Sequence, residues 1–466
     1  MKKKKENLLY VIFLSLVAAL GGFLFGYDTA VISGTVTRVV GQFELDSLQT
    51  GWFVGCALIG CIAGVSSGGM ISDGLGRKKS MIISALLFTL SAVGCAISSS
   101  FSELIIYRII GGIGIGMVSI ISPMYISELS IPRYRGSLVS LYQLAITIGF
   151  LGAYLVNFRL LNLSTSSYSP DSILLQRIFI KEVWRAMFGA EVLPAATFLV
   201  VIFFIPESPR WLVIRRDEKR ASGILERIFG NPEIVQAQIR EIKALASEKS
   251  ISQWKQIREP GLLRAILIGA AIAILGQFMG VNAVLYYGPK IFEDSGLSSG
   301  DSLFYQVLVG LVNALTTVVA LIIIDRVGRK KLVYWGVSGM ILALLTIGFY
   351  FTQSERMGLP PVFLLVSFLF YIFCTAISIS AVIFVFLSEL YPTRVRGLAM
   401  SIAGLSLWVG TYLIGQLTPW MLENLGPAGT FFLFAGMCLP YMWIIWRKVP
   451  ETAGKSLEEI ERTWIR

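Results

Sequence analysis

Three ionisable side chains lie inside long apolar segments of this sequence, where a charge is costly and usually serves a function. They are Asp28, Arg108 and Glu191. Because the chain contains no histidine, a proton carrier that works near neutral pH has to be a carboxyl group with a raised pKa. Burial raises the pKa of a carboxyl group and a neighbouring arginine lowers it. A carboxylate whose arginine partner moves away would therefore take up a proton.

Uncharged polar side chains also occur within the apolar segments, where a few of them could bind a polar solute. These residues are Gln143, Gln277, Asn282, Asn313 and Thr411. Hydrogen bonding between helices is the alternative role for such side chains in a membrane protein. Candidate aromatic walls or gates are Phe25, Tyr286, Phe384 and Trp408, although aromatic residues in such proteins more often pack or line the membrane interface.

The elements that carry these residues are twelve apolar blocks, six on each side of a polar stretch. Of the 466 residues, 55% are hydrophobic and only 15% are charged, against about 25% charged in soluble proteins. Apolar blocks of this length predict transmembrane helices. The sequence therefore predicts an all-α membrane protein with an N-terminal six-helix half at 1–205, a cytoplasmic linker at 206–260, a C-terminal six-helix half at 261–448 and a cytoplasmic tail at 449–466.

Lysine and arginine are concentrated in the loops after spans 2, 4, 8 and 10, which predicts that these loops and both termini are cytoplasmic. Membrane orientation, and not nucleic-acid binding, thus explains the net charge of +11. Within the linker, 221–229 and 233–245 predict amphipathic helices at the membrane surface. The five cysteines show no paired spacing, so neither a disulfide nor a metal site is expected.

Counting along the helices places the three ionisable residues at a similar depth. Arg108 and Glu191 lie five or six residues into spans that enter from outside, roughly 8–10 Å below the outer boundary at 1.5 Å per residue. Asp28 lies in the outer half of span 1. A proton-coupling group and a static ion pair between spans 1 and 4 are the two interpretations of Asp28 and Arg108.

The two halves repeat three motifs in the same order. Asp73-Gly-Leu-Gly-Arg77 recurs as Asp325-Arg-Val-Gly-Arg329, Glu128 followed by Arg135 recurs as Glu389 followed by Arg396, and Pro206-Glu207-Ser208 recurs as Pro450-Glu451-Thr452. Duplicated halves with a binding site between them are typical of secondary transporters. A repeated membrane scaffold that transports nothing is the alternative.

The repeated charged residues predict a latch on the cytoplasmic side, because arginine binds a carboxylate through two parallel hydrogen bonds. Its predicted members are Gly69, Asp73, Arg77, Glu128, Arg135, Asp325, Arg329, Glu389 and Arg396. The latch would close when the site faces outward and break when it faces inward. Solvated charge that only sets the orientation of the chain is the alternative.

Longer motifs resemble those of a known superfamily. The segment 69–78 resembles the helix 2–3 signature of the major facilitator superfamily, and four segments resemble its sugar porter family: 108–116, 123–128, 206–211 and 277–287. The resemblance covers nearly the whole chain and is closest in character to bacterial proton-coupled sugar symporters, with facilitative glucose transporters also similar. It implies the major facilitator fold with two pseudo-symmetric six-helix halves, in the inner membrane of a bacterial cell.

The resemblance also implies partners and roles. A monosaccharide, protons and the lipid bilayer are the expected partners, with no cofactor, no enzymatic activity and a functional monomer. The resemblance assigns sugar binding to Gln143, Gln277, Asn282 and Asn313. It assigns proton coupling to Asp28 and Arg108, with Glu191 as a further candidate. Family symporters keep the acid at this place, whereas uniporters tend to lack it.

Several positions depart from the family pattern. Phe150, Gly276, Phe384 and Leu407 stand where relatives often carry another polar residue or tryptophan, which leaves the identity of the sugar open. Sugar:proton symport is the favoured function and facilitative sugar uniport is the alternative. The short tail after Trp446 argues against a signalling sensor, and the lack of a phosphate-binding loop argues against ATP-driven pumping.

Overall fold

The computed structural model describes residues 6–166, 172–247, 260–391 and 396–449. Within those residues, twelve helical segments are long and apolar enough to cross a membrane, which confirms the predicted number of spans. In chain order, spans 1 to 12 are Leu8–Phe43, Ser47–Leu75, Arg77–Ile97, Phe101–Leu129, Pro132–Thr165, Val183–Phe204, Gly261–Asp294, Ser299–Ile324, Arg329–Met357, Pro361–Ser380, Gly397–Asn424 and Gly426–Lys448.

Among the described residues, spans 6, 7 and 10 contain breaks or irregular turns, a feature that often accompanies function in membrane and soluble helices. Span 6 divides into Val183–Gly189 and Val192–Val201, followed by the tight turn Ile202–Phe204. Span 7 divides into Pro260–Phe278 and Val281–Asp294. In span 10 the π-helical stretch Ala376–Ser380 separates Pro361–Thr375 from Ala381–Leu390.

Glycines in span 2 let spans 2 and 4 pack with their backbones in contact. A Cβ atom at Gly60 would lie 2.2 Å from the carbonyl oxygen of Ile109, and one at Gly64 would lie 2.3 Å from that of Ile113. Small residues four apart form such interfaces because lipid provides no hydrophobic force between helices. The close contact fixes span 4, which carries Arg108.

The described part of the predicted linker, up to Ser247, contains three helices, Pro209–Ile214, Glu218–Phe229 and Pro232–Ser247. Their apolar faces are buried in the protein: Leu225 and Ile239 are each 3% exposed and Ile228 is fully buried. Both predicted amphipathic helices are thus present with their apolar faces packed against protein, and their position at the membrane surface stays a prediction.

The described chain forms two compact units. The first comprises Met1–Thr29, Ile59–Phe150 and Phe188–Ser250, and the second comprises Ala30–Leu58, Leu151–Met187 and Ile251–Arg466. This division does not follow the predicted boundaries at 205 and 261, because spans 1, 2, 5 and 6 each contribute one end to either unit.

Candidate functional site

The first unit contains a buried ion pair between spans 1 and 4. The Nη1 atom of Arg108 donates to Oδ1 of Asp28 at 2.8 Å and lies 3.4 Å from the Asp28 backbone oxygen. Both side chains are only 2% exposed. The guanidinium also lies over the ring of Phe188, 5.5 Å from its centroid. Arginine suits this place because its flat cation can bond in its plane and stack on an aromatic face.

Glu191 completes this ion cluster, which consists of Asp28, Arg108 and Glu191. Its carboxyl group is buried, interacts electrostatically with Arg108 and lies within hydrogen-bonding reach of the Asp28 carboxyl. It lies at the break in span 6, just before the helix that begins at Val192. Pro194 lies in the first turn of that helix, where a missing N–H is tolerated. The structure thus brings together the three residues that depth counting placed at one level.

The composition of the ion cluster makes it suited to holding a proton. It has two carboxyl groups for one guanidinium, and Oδ2 of Asp28 has no hydrogen-bond donor among the described residues. Two carboxyl groups can share a hydrogen bond only when one of them carries a proton. Like charges that share a buried site disfavour double ionisation. The arrangement can therefore bind one proton at the Asp28–Glu191 pair without any further cation.

The second unit contains a neutral polar cluster on spans 7 and 11, which we call the amide cluster. It consists of Gln277, Asn282 and Thr411. Oε1 of Gln277 accepts from Nδ2 of Asn282 at 2.8 Å and from Oγ1 of Thr411 at 3.1 Å. Because that oxygen is occupied, the Gln277 NH₂ group and the Asn282 oxygen are the groups left to bind a solute.

The break in span 7 places Gln277 and Asn282 side by side. Gly280 adopts the left-handed conformation, with φ 90°, and a Cβ atom there would lie 2.4 Å from Cδ2 of Phe434. Only glycine satisfies both conditions without strain. The freed carbonyl of Met279 accepts from the hydroxyl of Tyr371 at 2.7 Å. The predicted break thus occurs at Gly280, while Gly276 remains within the helix.

The other predicted sugar-binding residues are distributed over both units. In the second unit, Asn313 is half-buried and its backbone oxygen accepts from Thr317, while Tyr286 and Trp408 are buried. In the first unit, Gln143 and Phe25 are half-buried. The side chain of Phe384 lies outside the described residues. Their roles in binding stay predictions.

In the first unit, Arg77 joins spans 2, 3 and 4 at the predicted cytoplasmic side. Its Nε and Nη2 atoms donate to the two oxygens of Glu128, each at 3.1 Å, and Nη1 donates to Asp73 at 3.1 Å and to the Ser72 carbonyl at 3.2 Å. The two parallel bonds to Glu128 are the predicted arginine fork. Arg135, the predicted neighbour of Glu128 in the latch, is exposed instead.

The start of the linker reinforces this network. Oε1 of Glu207 accepts from the backbone N–H groups of Arg77 and Lys78 at 2.8 and 3.1 Å, which binds the open N-terminal end of span 3. Ser208 donates to Glu128. Trp211 and Arg215 both donate to the backbone oxygen of Asp73, near the end of span 2. None of these four residues is predicted from the sequence to have a role, although the repeated Pro-Glu-Ser/Thr motif contains two of them.

Gly69 and Arg329 are the remaining predicted latch residues whose burial the structure describes. Gly69 is half-buried, and a Cβ atom there would meet no atom within 4 Å. Arg329 begins span 9 and is half-buried. The side chains of Asp325, Glu389 and Arg396 lie outside the described residues, so the second copy of the latch stays a prediction.

Comparison with known proteins shows the family of the chain. Residues 14–464 match the family model described as "Sugar (and other) transporter". The chain is 36% identical to the arabinose-proton symporter of Bacillus subtilis, over 99% of this chain and 97% of that protein. It is also 36% identical to the D-xylose-proton symporter of Escherichia coli, over 98% and 96%. The inward open structure of the xylose transporter XylE from E. coli superposes on this chain with a TM-score of 0.83 at 36% identity. The superposition covers 98% of this chain and 100% of the XylE chain.

Proposed function

Because this chain belongs to the sugar transporter family, with the fold of the major facilitator superfamily, we propose that it imports a monosaccharide together with protons by alternating access. The observation that carries the proposal is the ion cluster. A buried carboxylate with one unbonded oxygen, a second carboxyl group within reach and a single arginine form a site that changes its net charge when one proton binds. A site of this kind supports proton coupling as its role.

Proton coupling requires that the bond between Arg108 and Asp28 is formed in one conformation of the protein and broken in another. With Arg108 bonded to Asp28 the carboxylate is neutralised, and a conformational change that lengthens the 2.8 Å bond removes that neutralisation. Asp28 then takes up a proton, because an isolated charge in this position is costly. Proton binding and the change of conformation thus favour each other, which is the thermodynamic requirement for coupling.

Sugar binding is assigned to the amide cluster, with Gln143 and Asn313 as further candidates. The NH₂ group of Gln277 and the oxygen of Asn282 offer one donor and one acceptor side by side, which matches a sugar hydroxyl group that both donates and accepts. Fixing Gln277 through two hydrogen bonds before the sugar arrives lowers the entropy cost of binding. A pentose or a hexose fits this chemistry, and the names of the relatives include arabinose and xylose.

Orientation and assembly complete the proposal. The basic loops favour cytoplasmic termini in the cell membrane, which for a bacterial cell is the inner membrane. Both repeated halves lie in one chain, which favours a functional monomer.

The test is sugar-induced proton movement in liposomes. Purified protein is reconstituted, D-xylose, L-arabinose and D-glucose are added in turn, and external pH is recorded. Symport predicts alkalinisation with at least one sugar, and Asp28→Asn should abolish it while sugar counterflow survives. Sugar flux without any proton movement in the parent protein would instead establish a facilitative uniporter, with Asp28 and Arg108 as a static pair.

A further inference from the structure

A proline in the second helix of span 7 frees one backbone oxygen of that helix. Pro289 has no N–H, so the carbonyl of Leu285, four residues earlier, lacks its partner within the helix Val281–Asp294. A buried carbonyl without a partner costs free energy comparable to a lost hydrogen bond. The freed oxygen therefore needs a donor from another element.

Two side chains from different spans supply donors to this oxygen. The hydroxyl of Tyr154, on span 5, donates to it at 2.9 Å, and Nε2 of Gln306, on span 8, donates to it at 3.2 Å. Tyr154 is 1% exposed and Gln306 is fully buried. All these residues belong to the second unit.

The surroundings of both donors are shaped for this contact. A Cβ atom at Gly310, one turn beyond Gln306, would lie 2.6 Å from Cδ2 of Tyr154, so glycine leaves room for the tyrosine ring. The Oε1 atom of Gln306 is buried without a hydrogen-bond partner among the described residues. Burying that oxygen unpaired is unfavourable, so the contribution of Gln306 comes from its NH₂ group, which also lies 3.4 Å from the Val284 carbonyl.

The two donors differ in their place in the repeat. Tyr154 lies in the N-terminal half of the sequence, whereas Gln306 lies in the same half as Leu285, on the neighbouring span. Alternating access, on which this inference rests, requires elements of the two repeated halves to separate at one side of the membrane and then at the other. Span 7 starts at the predicted cytoplasmic linker, so Leu285, in its second helix, lies toward the predicted outer side. Separation of the halves on that side would break the bond from Tyr154 and leave the bond from Gln306 in place.

We propose that the Leu285 carbonyl is a switchable acceptor that positions the second helix of span 7. Tyr154 donates to this oxygen only when the predicted outer side is closed. Gln306 donates to it in both states, so the oxygen always has a hydrogen-bond donor. Tyr154 thus favours the closed state and Gln306 supports the open state. The two residues are positioning residues, and neither is assigned to the sugar or the proton.

The proposal predicts shifts of opposite sign from two conservative substitutions. Tyr154→Phe removes a bond that exists only in the closed state and should shift the population toward the open state. Gln306→Met removes a bond that matters most in the open state, where it is the only one, and should shift the population toward the closed state. One hydrogen bond corresponds to roughly a three- to tenfold change in the ratio of the two states.

The populations are measured on the purified full chain, without sugar, as distances between nitroxide labels at Gln49→Cys and Glu423→Cys. Both positions are exposed, and the five native cysteines are buried. The matched control is Tyr142→Phe on the same span, whose hydroxyl lies 3.5 Å from the Val118 carbonyl in the first unit. That control should leave the distances unchanged.

Opposite shifts in the two variants support the switch. Shifts of the same sign, or no shift in either, overturn it. If Gln306→Met does not fold, Gln306→Asn replaces it, since its amide is one methylene shorter and should give the same sign of shift. The measurement needs neither sugar nor a proton gradient, so its failure leaves sugar:proton symport standing, and failure of symport leaves the switch standing.

Discussion

The ion cluster of spans 1, 4 and 6 and the amide cluster of spans 7 and 11 hold their polar groups by different chemistry. The first joins opposite charges at 2.8 Å and leaves one carboxylate oxygen unbonded. The second joins neutral groups at 2.8 and 3.1 Å and occupies the Gln277 oxygen twice. A buried group that can change its charge can respond to protons, whereas an amide keeps the same donors and acceptors at any ordinary pH.

This difference in chemistry suits the two clusters to binding different species, a proton and a sugar. Charge in a low-dielectric interior gives interactions that change strongly when one proton is added. Neutral amides give modest, directional bonds that a hydroxyl group can match and release. We therefore propose that the ion cluster serves coupling and the amide cluster serves recognition, and we expect substitutions in each cluster to affect mainly its own property.

The largest expected effect comes from Arg108→Gln, which removes the only cation of the ion cluster. Breaking a buried pair by deleting one partner is strongly unfavourable, so concentrative uptake driven by a pH gradient should fall by about 100-fold or more. Uptake of labelled sugar into liposomes measures it.

Two variants sharpen that result. Adding Asp28→Asn to Arg108→Gln leaves a single carboxyl group, Glu191, which can be neutral, so counterflow should recover although concentrative uptake should not. Exposed Arg133→Gln is the control and should behave as the parent. An Arg108→Gln protein that keeps more than a tenth of its concentrative uptake contradicts the role of the ion cluster.

Gln277→Ala should weaken sugar binding roughly tenfold, because it removes a donor to the sugar and frees Asn282 and Thr411 from their common partner. The number of protons moved per sugar should not change. Calorimetric titration gives the affinity and paired flux measurements give the ratio. Gln49→Ala, at an exposed position, is the control. Lost coupling with unaltered affinity would reverse the division between the two clusters.

Substitution of Arg77, at the predicted cytoplasmic side, tests whether a buried arginine fork adds to the stability of the protein. Arg77→Lys keeps the charge but cannot form two parallel bonds to Glu128 while also reaching Asp73 and Ser72. The midpoint of thermal unfolding in detergent should fall by about 2–5 °C. Exposed Arg210→Lys should leave it unchanged, and an equal midpoint for both variants would show that the fork adds no stability.

The smallest effect is expected at Glu182, which lies just before span 6 and binds Arg177 at 3.1 Å and also Arg185. Its partial burial favours the neutral form, but the hydrogen bonds from Arg185 and Arg177 outweigh this and lower the pKa of Glu182. The stabilisation is therefore fully present above the ordinary carboxyl pKa of about 4.3 and is lost as the pH falls through the lowered value.

Glu182→Gln should lower the unfolding midpoint by no more than ~2 °C at pH 7. The difference from the parent should shrink as the pH is lowered below about 4. Exposed Glu423→Gln is the control. A difference that grows on acidification contradicts the sign of the linkage.

Several features of this protein follow from its sequence alone, because they depend on local composition and spacing. Long apolar blocks can satisfy their backbone in lipid only as helices, so the number of spans is readable from hydropathy. The isolation of Asp28, Arg108 and Glu191 in such blocks, with no histidine in the chain, predicts a functional role for them. Gly280 between Gln277 and Asn282 marks the break in span 7.

Tertiary structure alone decided which groups touch. Sequence neighbourhood suggested Arg135 as the companion of Glu128, but Arg77 lies across the helix junction and takes that place. Which faces of the linker helices are buried depends on the rotation of each helix about its axis. The Leu285 carbonyl receives a hydrogen bond from Tyr154, which lies 131 positions away in the chain. Periodicity shows which side of a helix is apolar, but not whether lipid or protein covers it, because both are equally apolar.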